Sequence, residues 1–342
     1  MEKIHDNVIE KNVDVRKVAV IGCGFVGSST AFALMESGMF SEMVLIDAVP
    51  SKAEGEAMDI SHGVPFVKPM KIYAGTYDDI VDASIIIITA GAAQKPGETR
   101  LQLVQKNVSI FKSIIPEIKK RNCEGVLLIV SNPVDILTYV AQKLSGFPKN
   151  RVIGSGTVLD TARLKAKLGD HLDVDSRSVH AFIIGEHGDS ELAAWSSATV
   201  SGVPLSTFCE MRGHFNHDQS EKHIQEMVKN SAYEIIEKKK ATYYGVAMAV
   251  RRICEVIARD EKSVLSVSTY MNGEYGIEDV CLSMPSLVGA DGVEEMIPIS
   301  LDQEEITSLM KSAKQLKQVV DSLDLEDGDN TSENDGSQKK ES

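Results

Sequence analysis

Four apolar residues, Val18-Ala19-Val20-Ile21, run straight into Gly22-Cys23-Gly24-Phe25-Val26-Gly27, and Ser28 to Met39 then reads as a helix rich in Ala, Leu and Met. A second apolar run, Met43-Val44-Leu45-Ile46, ends at Asp47, twenty residues past Gly27. Few folds accept that order. Short, fully apolar runs suit strands buried on both faces, as in a parallel sheet covered by helices. A lone GxGxxG is a weak pattern, but a strand before it and a helix after it give each glycine a task. Gly22 permits the tight turn, Gly24 lets backbone approach a pyrophosphate, and Gly27 lets helix pack on strand. Free N–H groups at the helix start then face the phosphates. Asp47 stands where a carboxylate accepts hydrogen bonds from an adenosine ribose. Its charge repels a 2′-phosphate, which favours NAD over NADP. A purely structural glycine turn is the competing reading.

The pattern continues. Ile85 to Thr89 breaks at Ala90-Gly91-Ala92, Val126 to Val130 runs into Ser131-Asn132-Pro133, and Arg151-Val152-Ile153 precedes Gly154-Ser155-Gly156-Thr157. Gln94 to Arg100 is polar, holds Pro and Gly, and reads as a mobile loop at the carboxyl end of a strand, where ligands bind in open α/β sheets. A helix follows, with Leu101, Val104, Val108, Phe111, Ile115 and Ile118 on one face. Pro116 is expected to kink or shorten its end. Asn132-Pro133 reads as a turn compatible with a cis peptide, or as an amide placed to bind a ligand. Past Ser190, helices are expected over Ile224 to Lys239, Ala247 to Arg259 and about Ser300 to Leu323. Val264 to Tyr270 alternates apolar and polar like a half-exposed strand, and Val280 to Ser283 suggests another. The expected fold class is α/β, a Rossmann-type parallel-sheet domain followed by an α+β catalytic domain. The expected divisions are a loose arm over 1–16, a dinucleotide domain over 17–155, a substrate domain over 156–323 and a disordered tail over 324–342.

The most reactive-looking stretch is Gly185-Glu186-His187-Gly188-Asp189, just past the apolar pair Ile183-Ile184. Histidine exchanges a proton near neutral pH, and a loop held by a buried strand is a usual seat for such a group. Alone, the motif reads equally well as a turn histidine. Asp160 and Arg163 share a helix face at a spacing of three. They read either as a surface ion pair or as a carboxylate that orients a histidine beside a guanidinium that grips a substrate carboxylate.

Composition narrows the classes. The chain has 342 residues, 43% of them hydrophobic, and a formal charge of −14. No basic stripe points to nucleic acid, and no apolar run approaches membrane-spanning length. Part of the acidity is local, with eight Asp/Glu against two Lys from Asp321 onward. Met1 to Asp14 is charged and carries no apolar signal segment, so a cytoplasmic protein is expected. The five cysteines, Cys23, Cys123, Cys209, Cys254 and Cys281, have no metal-pair or redox-pair spacing, so reduced, mostly buried thiols and no metal are expected.

Taken together, Gly22-x-Gly24-x-x-Gly27, Asp47, Gln94 to Arg100, Ser131-Asn132-Pro133, Asp160-Thr161-Ala162-Arg163, Gly185 to Asp189 and Ala241-Thr242-Tyr243-Tyr244-Gly245 resemble the bacterial-type L-lactate dehydrogenases of the lactate/malate dehydrogenase family. The resemblance spans about Arg16 to Leu323. It implies hydride transfer between the nicotinamide of NAD and pyruvate or lactate, as in glycolytic fermentation. His187 is implied as acid and base, Asp160 as its partner, Arg163 as the carboxylate clamp, and Arg100 as the cation that polarises the ketone. Asn132 and Thr242 are implied at the substrate, and Gln94 as the discriminator, since malate-type relatives usually carry arginine there. Val26, Asp47, Lys52, Tyr77, Gly91, Ala92, Ser131 and Ser155 are implied along NAD, and Val246 near the nicotinamide. A homotetramer is implied too. Relatives activated by fructose 1,6-bisphosphate usually carry arginine where Lys165 stands, paired with a histidine like His180, so these two residues mark a candidate anion site with a weaker, forkless cation. Lys240 stands where glycine is common. A dehydrogenase for malate or a bulkier 2-hydroxy acid, or a dehydrogenase-fold binding protein without turnover, are the alternatives.

Overall fold

In the computed structural model the apolar runs become neighbouring strands of one sheet, and helices carry the chain back between them. It describes residues 14–93 and 97–325. Gln94 therefore lies outside the described residues, as do the arm to residue 13 and the tail from 326; of Arg100 only the backbone is described. The first half runs β1 (Asp14–Ile21), α1 (Phe25–Ser37), β2 (Glu42–Ile46), α2 (Pro50–Ser61), β3 (Lys71–Ala74), β4 (Ala83–Ile88), α3 (Arg100–Lys120), β5 (Val126–Ile129), α4 (Val134–Ser145) and β6 (Val152–Gly154). These six strands are parallel, in the order β6-β5-β4-β1-β2-β3, with Val20 opposite both Leu45 and Ile87.

Strand alternation divides the apolar runs between two cores. Ala19, Ile21, Ile86 and Ile88 pack with Val104 and Phe111 of α3, while Val18, Val20, Ile85 and Ile87 pack with Ala31 and Leu34 of α1. Both faces are covered, so every residue from Ala83 to Ile88 is buried. That explains why these runs carry no polar alternation.

The second half runs α5 (Val158–Leu172), β7 (Val179–His180), β8 (Ile183–Ile184), β9 (Leu192–Ala193), β10 (Thr199–Val200), β11 (Val203–Pro204), α6 (Leu205–Met211), α7 (His217–Lys239), α8 (Tyr244–Ala258), β12 (Ser263–Asn272), β13 (Glu278–Gly289), β14 (Gly292–Met296) and α9 (Gln303–Asp321). β12 lies antiparallel beside β6 through Ser268 and Gly154, and β13 and β14 follow it outward, so one sheet of nine strands crosses both halves.

Three expectations need correction. Residues 14–16 belong to β1, not to a loose arm. Pro116 does not end α3, which continues to Lys120; Ile114, Ile115 and Ile118 are buried around it, and their packing outweighs one lost backbone bond. The alternating stretch 264–270 is not half-exposed. Ser266, Val267, Ser268 and Thr269 are all buried because β12 lies between β6 and β13, and hydroxyl partners make that tolerable. Ser268 Oγ donates to Asp135 and Ser266 pairs with Thr161. All five cysteines are free and buried. Among the described residues no helix is long and apolar enough to cross a membrane.

Candidate active site

The strand ends fix where chemistry can occur. Gly22, Ala90, Ser131 and Ser155 come within two residues of the ends of β1, β4, β5 and β6, so all four line the carboxyl edge of the sheet. At the first of these turns Gly22 has φ 103°, and a Cβ there would lie 2.5 Å from the Ala90 nitrogen. A Cβ on Gly27 would lie 1.8 Å from the Gly22 carbonyl oxygen. Gly24 differs: a Cβ there would meet nothing within 4 Å, and no side chain caps the start of α1 behind it. The space is open and the first-turn N–H groups have no side-chain partner among the described residues, which is what a pyrophosphate needs. Asp47 accepts the Cys23 N–H at 2.8 Å and the Val49 N–H at 3.0 Å, with Lys52 Nζ 3.7 Å away. Burial works against the carboxylate, but these donors and the lysine outweigh it and hold its pKa below the ordinary value. The residues present therefore fit NAD.

The second cluster comes from elements far apart in sequence. β8 and β9 pair as Ile183–Ala193 and Ile184–Leu192, and the chain between them carries His187. Gly185, at φ 86°, exchanges two 2.9 Å backbone hydrogen bonds with Ser283 of β13, which ties this connection to the main sheet. The His187 N–H donates to Asp135 Oδ2 at 2.7 Å, and Asp135 Oδ1 accepts from Ser268 at 2.6 Å. Burial raises the Asp135 pKa to about 6 against these two donors. On the ring, Nδ1 lies 2.6 Å from Asp160 Oδ2, and Asp160 Oδ1 accepts from Arg163 Nη1 at 2.8 Å. The Asp160 side chain is 2% exposed, so the surface-pair reading of Asp160 and Arg163 fails.

Electrostatics follow from this packing. Burial pushes the Asp160 carboxyl up, but His187 and Arg163 outweigh it and hold it below its ordinary value. Burial pushes the His187 imidazole down, and the Asp160 charge and hydrogen bond carry it up to about 9. The ring thus holds a proton at neutral pH. With Nδ1–H given to the carboxylate, Nε2 is the nitrogen left for a ligand.

A cavity of about 180 Å³ brings Asn132, Ser155, Arg163, His187, Thr242 and Val246 together, with Val26 on the same wall. Other expected residues stay off it. Lys52 remains beside Asp47, and Tyr77 packs against the core beneath the Arg121 guanidinium. Ser131 Oγ donates to the Ala90 carbonyl at 2.7 Å, and Ala92 donates its N–H to Asn107 at 2.7 Å. A Cβ built on Gly91 would lie 3.6 Å from both Ser131 Cβ and Asn107 Oδ1. Lys165 and His180 line a separate cavity of about 360 Å³, together with Arg252. Burial lowers the pKa of Lys165 there.

Three buried polar residues go unremarked in the sequence. Asn107 donates to the Asn132 carbonyl at 2.8 Å and so joins the root of the 93–97 segment to the Asn132 turn. A polar residue on the apolar face of α3, between Val104 and Phe111, is the signal that marks it. Asp135 and Glu191 are the others, and they look like ordinary surface acids in sequence.

Residues 16–154 match the family model described as lactate/malate dehydrogenase, NAD binding domain, and residues 157–325 match the alpha/beta C-terminal domain of the same family. The chain is 55% identical over 317 residues to an L-lactate dehydrogenase of Acetivibrio thermocellus, covering 93% of this chain and 100% of the relative. It is 55% identical over 307 residues to L-lactate dehydrogenase 1 of Clostridium acetobutylicum, covering 90% and 98%. Among solved structures, the ligand-bound minor L-lactate dehydrogenase of Enterococcus mundtii superposes with a TM-score of 0.88 at 45% identity, covering 92% of this chain and 100% of that one.

Proposed function

The chain belongs to the lactate/malate dehydrogenase family, and from that premise we propose that it is an NAD-dependent L-lactate dehydrogenase interconverting pyruvate and (S)-lactate. The observation that carries this reading is the 2.6 Å contact between His187 Nδ1 and Asp160 at the wall of the cavity that also holds Arg163. Residues 17–155 hold the cofactor, along Gly22, Gly24, Val26, Gly27, Asp47 and Ser155, and 156–323 supply most of the substrate groups. Lys52, Tyr77, Gly91, Ala92 and Ser131 serve the cofactor from outside the walls of this cavity.

Arg163 binds the pyruvate carboxylate through guanidinium N–H groups that Asp160 does not occupy. That places the ketone oxygen toward His187 Nε2. The hydride for C2 would come from NADH when it is bound. As negative charge develops on the ketone oxygen, His187 gives it the Nε2 proton, and Asp160 holds the ring in the tautomer that makes this nitrogen the donor. Asn132 hydrogen-bonds the same oxygen, Arg100 brings a second positive charge to it, and Thr242 lines the carboxylate end. In the reverse direction neutral His187 takes the lactate hydroxyl proton.

Gln94 sets the substrate class. A neutral amide offers no partner for a second carboxylate, and an unpaired charge in a closed site is strongly rejected. The protein works in the cytoplasm as a homotetramer. Lys165 and His180, beside Arg252, form the seat for a sugar bisphosphate, in which lysine replaces a planar fork with a point charge. Rates measured with and without fructose 1,6-bisphosphate test that seat.

The deciding assay follows NADH absorbance with pyruvate, oxaloacetate and a branched 2-oxo acid. Pyruvate is expected to be reduced with the highest kcat/KM, giving (S)-lactate. A folded protein that binds NADH but oxidises none of it with pyruvate would overturn the reading.

A further inference from the structure

Beside the Asp160–His187 pair lies a third ionisable group. Glu191 is 4% exposed, and its buried Oε1 has no hydrogen-bond partner among the described residues. One ligand atom from each of Asp160, His187 and Glu191 falls within 4.8 Å of the other two. The position is fixed, because the Glu191 N–H bonds the Gly188 carbonyl at 3.1 Å and the next residue begins β9. The carboxyl faces Asp160 and Arg163 of α5, His187 of its own hairpin and Lys229 of α7, while Asp135 of α4 lies behind the imidazole. It is absent from the walls of the 180 Å³ cavity and lines a larger one of about 810 Å³, with Glu186, Asp189, Lys229, Lys311 and Ser312. Glu191 thus reaches the reacting proton only through its neighbours.

We propose that Glu191 is a positioning residue for proton transfer, a third member of the Asp160–His187 pair whose charge state sets how firmly the imidazole keeps its proton. This rests on the dehydrogenase reading and deepens it. A buried carboxyl beside an existing carboxylate resists ionising, and its pKa is raised to about 8 by burial first and by the Asp160 charge second. Below that pH it is a neutral dipole. Above it, a second negative charge holds the imidazolium more tightly, so protons leave the cluster in coupled steps that belong to no single residue.

The test is the pH profile of kcat/KM for pyruvate in the parent, Glu191→Gln and Glu191→Asp. Gln keeps the shape and cannot ionise, so its alkaline limb is expected to move down by roughly one pH unit. Asp keeps the charge and is expected to restore most of that shift. Profiles that overlay, or a Gln and an Asp variant displaced alike, overturn the proposal. If Glu191→Gln does not fold, an NMR titration of the His187 ring in the parent decides. Two inflections are expected, and a single-proton curve overturns the proposal. A parent that never reduces pyruvate refutes the dehydrogenase reading, whereas a parent that turns over with an unshifted variant refutes only the role of Glu191.

Discussion

Asp160 has two oxygens and two cationic partners, and it gives one oxygen to each. Replacing it by Asn would leave Arg163 without its charge partner and let the imidazole turn or lose its proton. Asp160→Asn is therefore expected to lower kcat/KM for pyruvate by about 100-fold or more, with NADH affinity nearly unchanged. Stopped-flow reduction and NADH fluorescence titration measure the two separately. The same contact couples folding to pH. The folded pKa of His187 is about 9, above the unfolded value of 6.5, so the proton stabilises the fold. That stabilisation is complete below pH 6.5 and is lost as pH rises through about 9. Thermal midpoints should fall across this window, and His187→Gln should flatten the fall. An equally steep slope in the variant would place the titrating group elsewhere.

At the scale of elements, two joints carry opposite lessons about side chains. In the β1–α1 turn Gly27 has no room for a Cβ and Gly24 has all the room it could need. Gly27→Ala should misfold or lose several kcal/mol, whereas Gly24→Ala should fold normally and weaken NADH binding by about tenfold. Circular dichroism and NADH titration separate the two outcomes. At the far end of α7, Lys240 occupies a left-handed conformation, φ 72°, and closes the helix by donating its N–H to Ile236. An L side chain there costs about 1 kcal/mol, so Lys240→Gly should raise the thermal midpoint by a few degrees. A lower midpoint would mean that the lysine side chain contributes more than its backbone strain costs. These joints also mark what sequence could tell. The glycine turn and the apolar face of α9, where Leu309, Ala313, Leu316 and Val320 are buried, are local patterns and were readable. The burial of Ser266 and Ser268 was not, because it depends on β6 and β13 arriving on either side. Asp160, Arg163 and His187 were legible as motifs. Glu191 carried no motif, and its environment exists only once α5, α7 and the β8–β9 hairpin have met.

At the scale of the molecule, the sheet continues through both halves, and the helices that cover it leave large apolar side chains exposed. Phe25 and Phe32 sit seven residues apart on α1, and Tyr244 and Met248 four apart on α8, and all four are more than half exposed. α1 packs against α8 and also touches α2, where Met58 is 64% exposed. Exposed apolar side chains on three adjoining helices are expensive in water and usually mark an interface. The patch is also joined to chemistry. α8 turns Tyr244 and Met248 outward, while Val246, between them, lines the site cavity. Covering the outer face of α8 would therefore steady the cavity wall that carries Val246. The parent is expected to sediment as a symmetric assembly of four at micromolar concentration. Phe32→Glu combined with Met248→Glu should place like charges across the contact and dissociate it. If the wall depends on the contact, kcat should fall with the sedimentation coefficient as the protein is diluted. A parent that sediments as a monomer would show that this patch serves no assembly, and a dissociated variant that keeps full activity would show that the assembly does not serve catalysis.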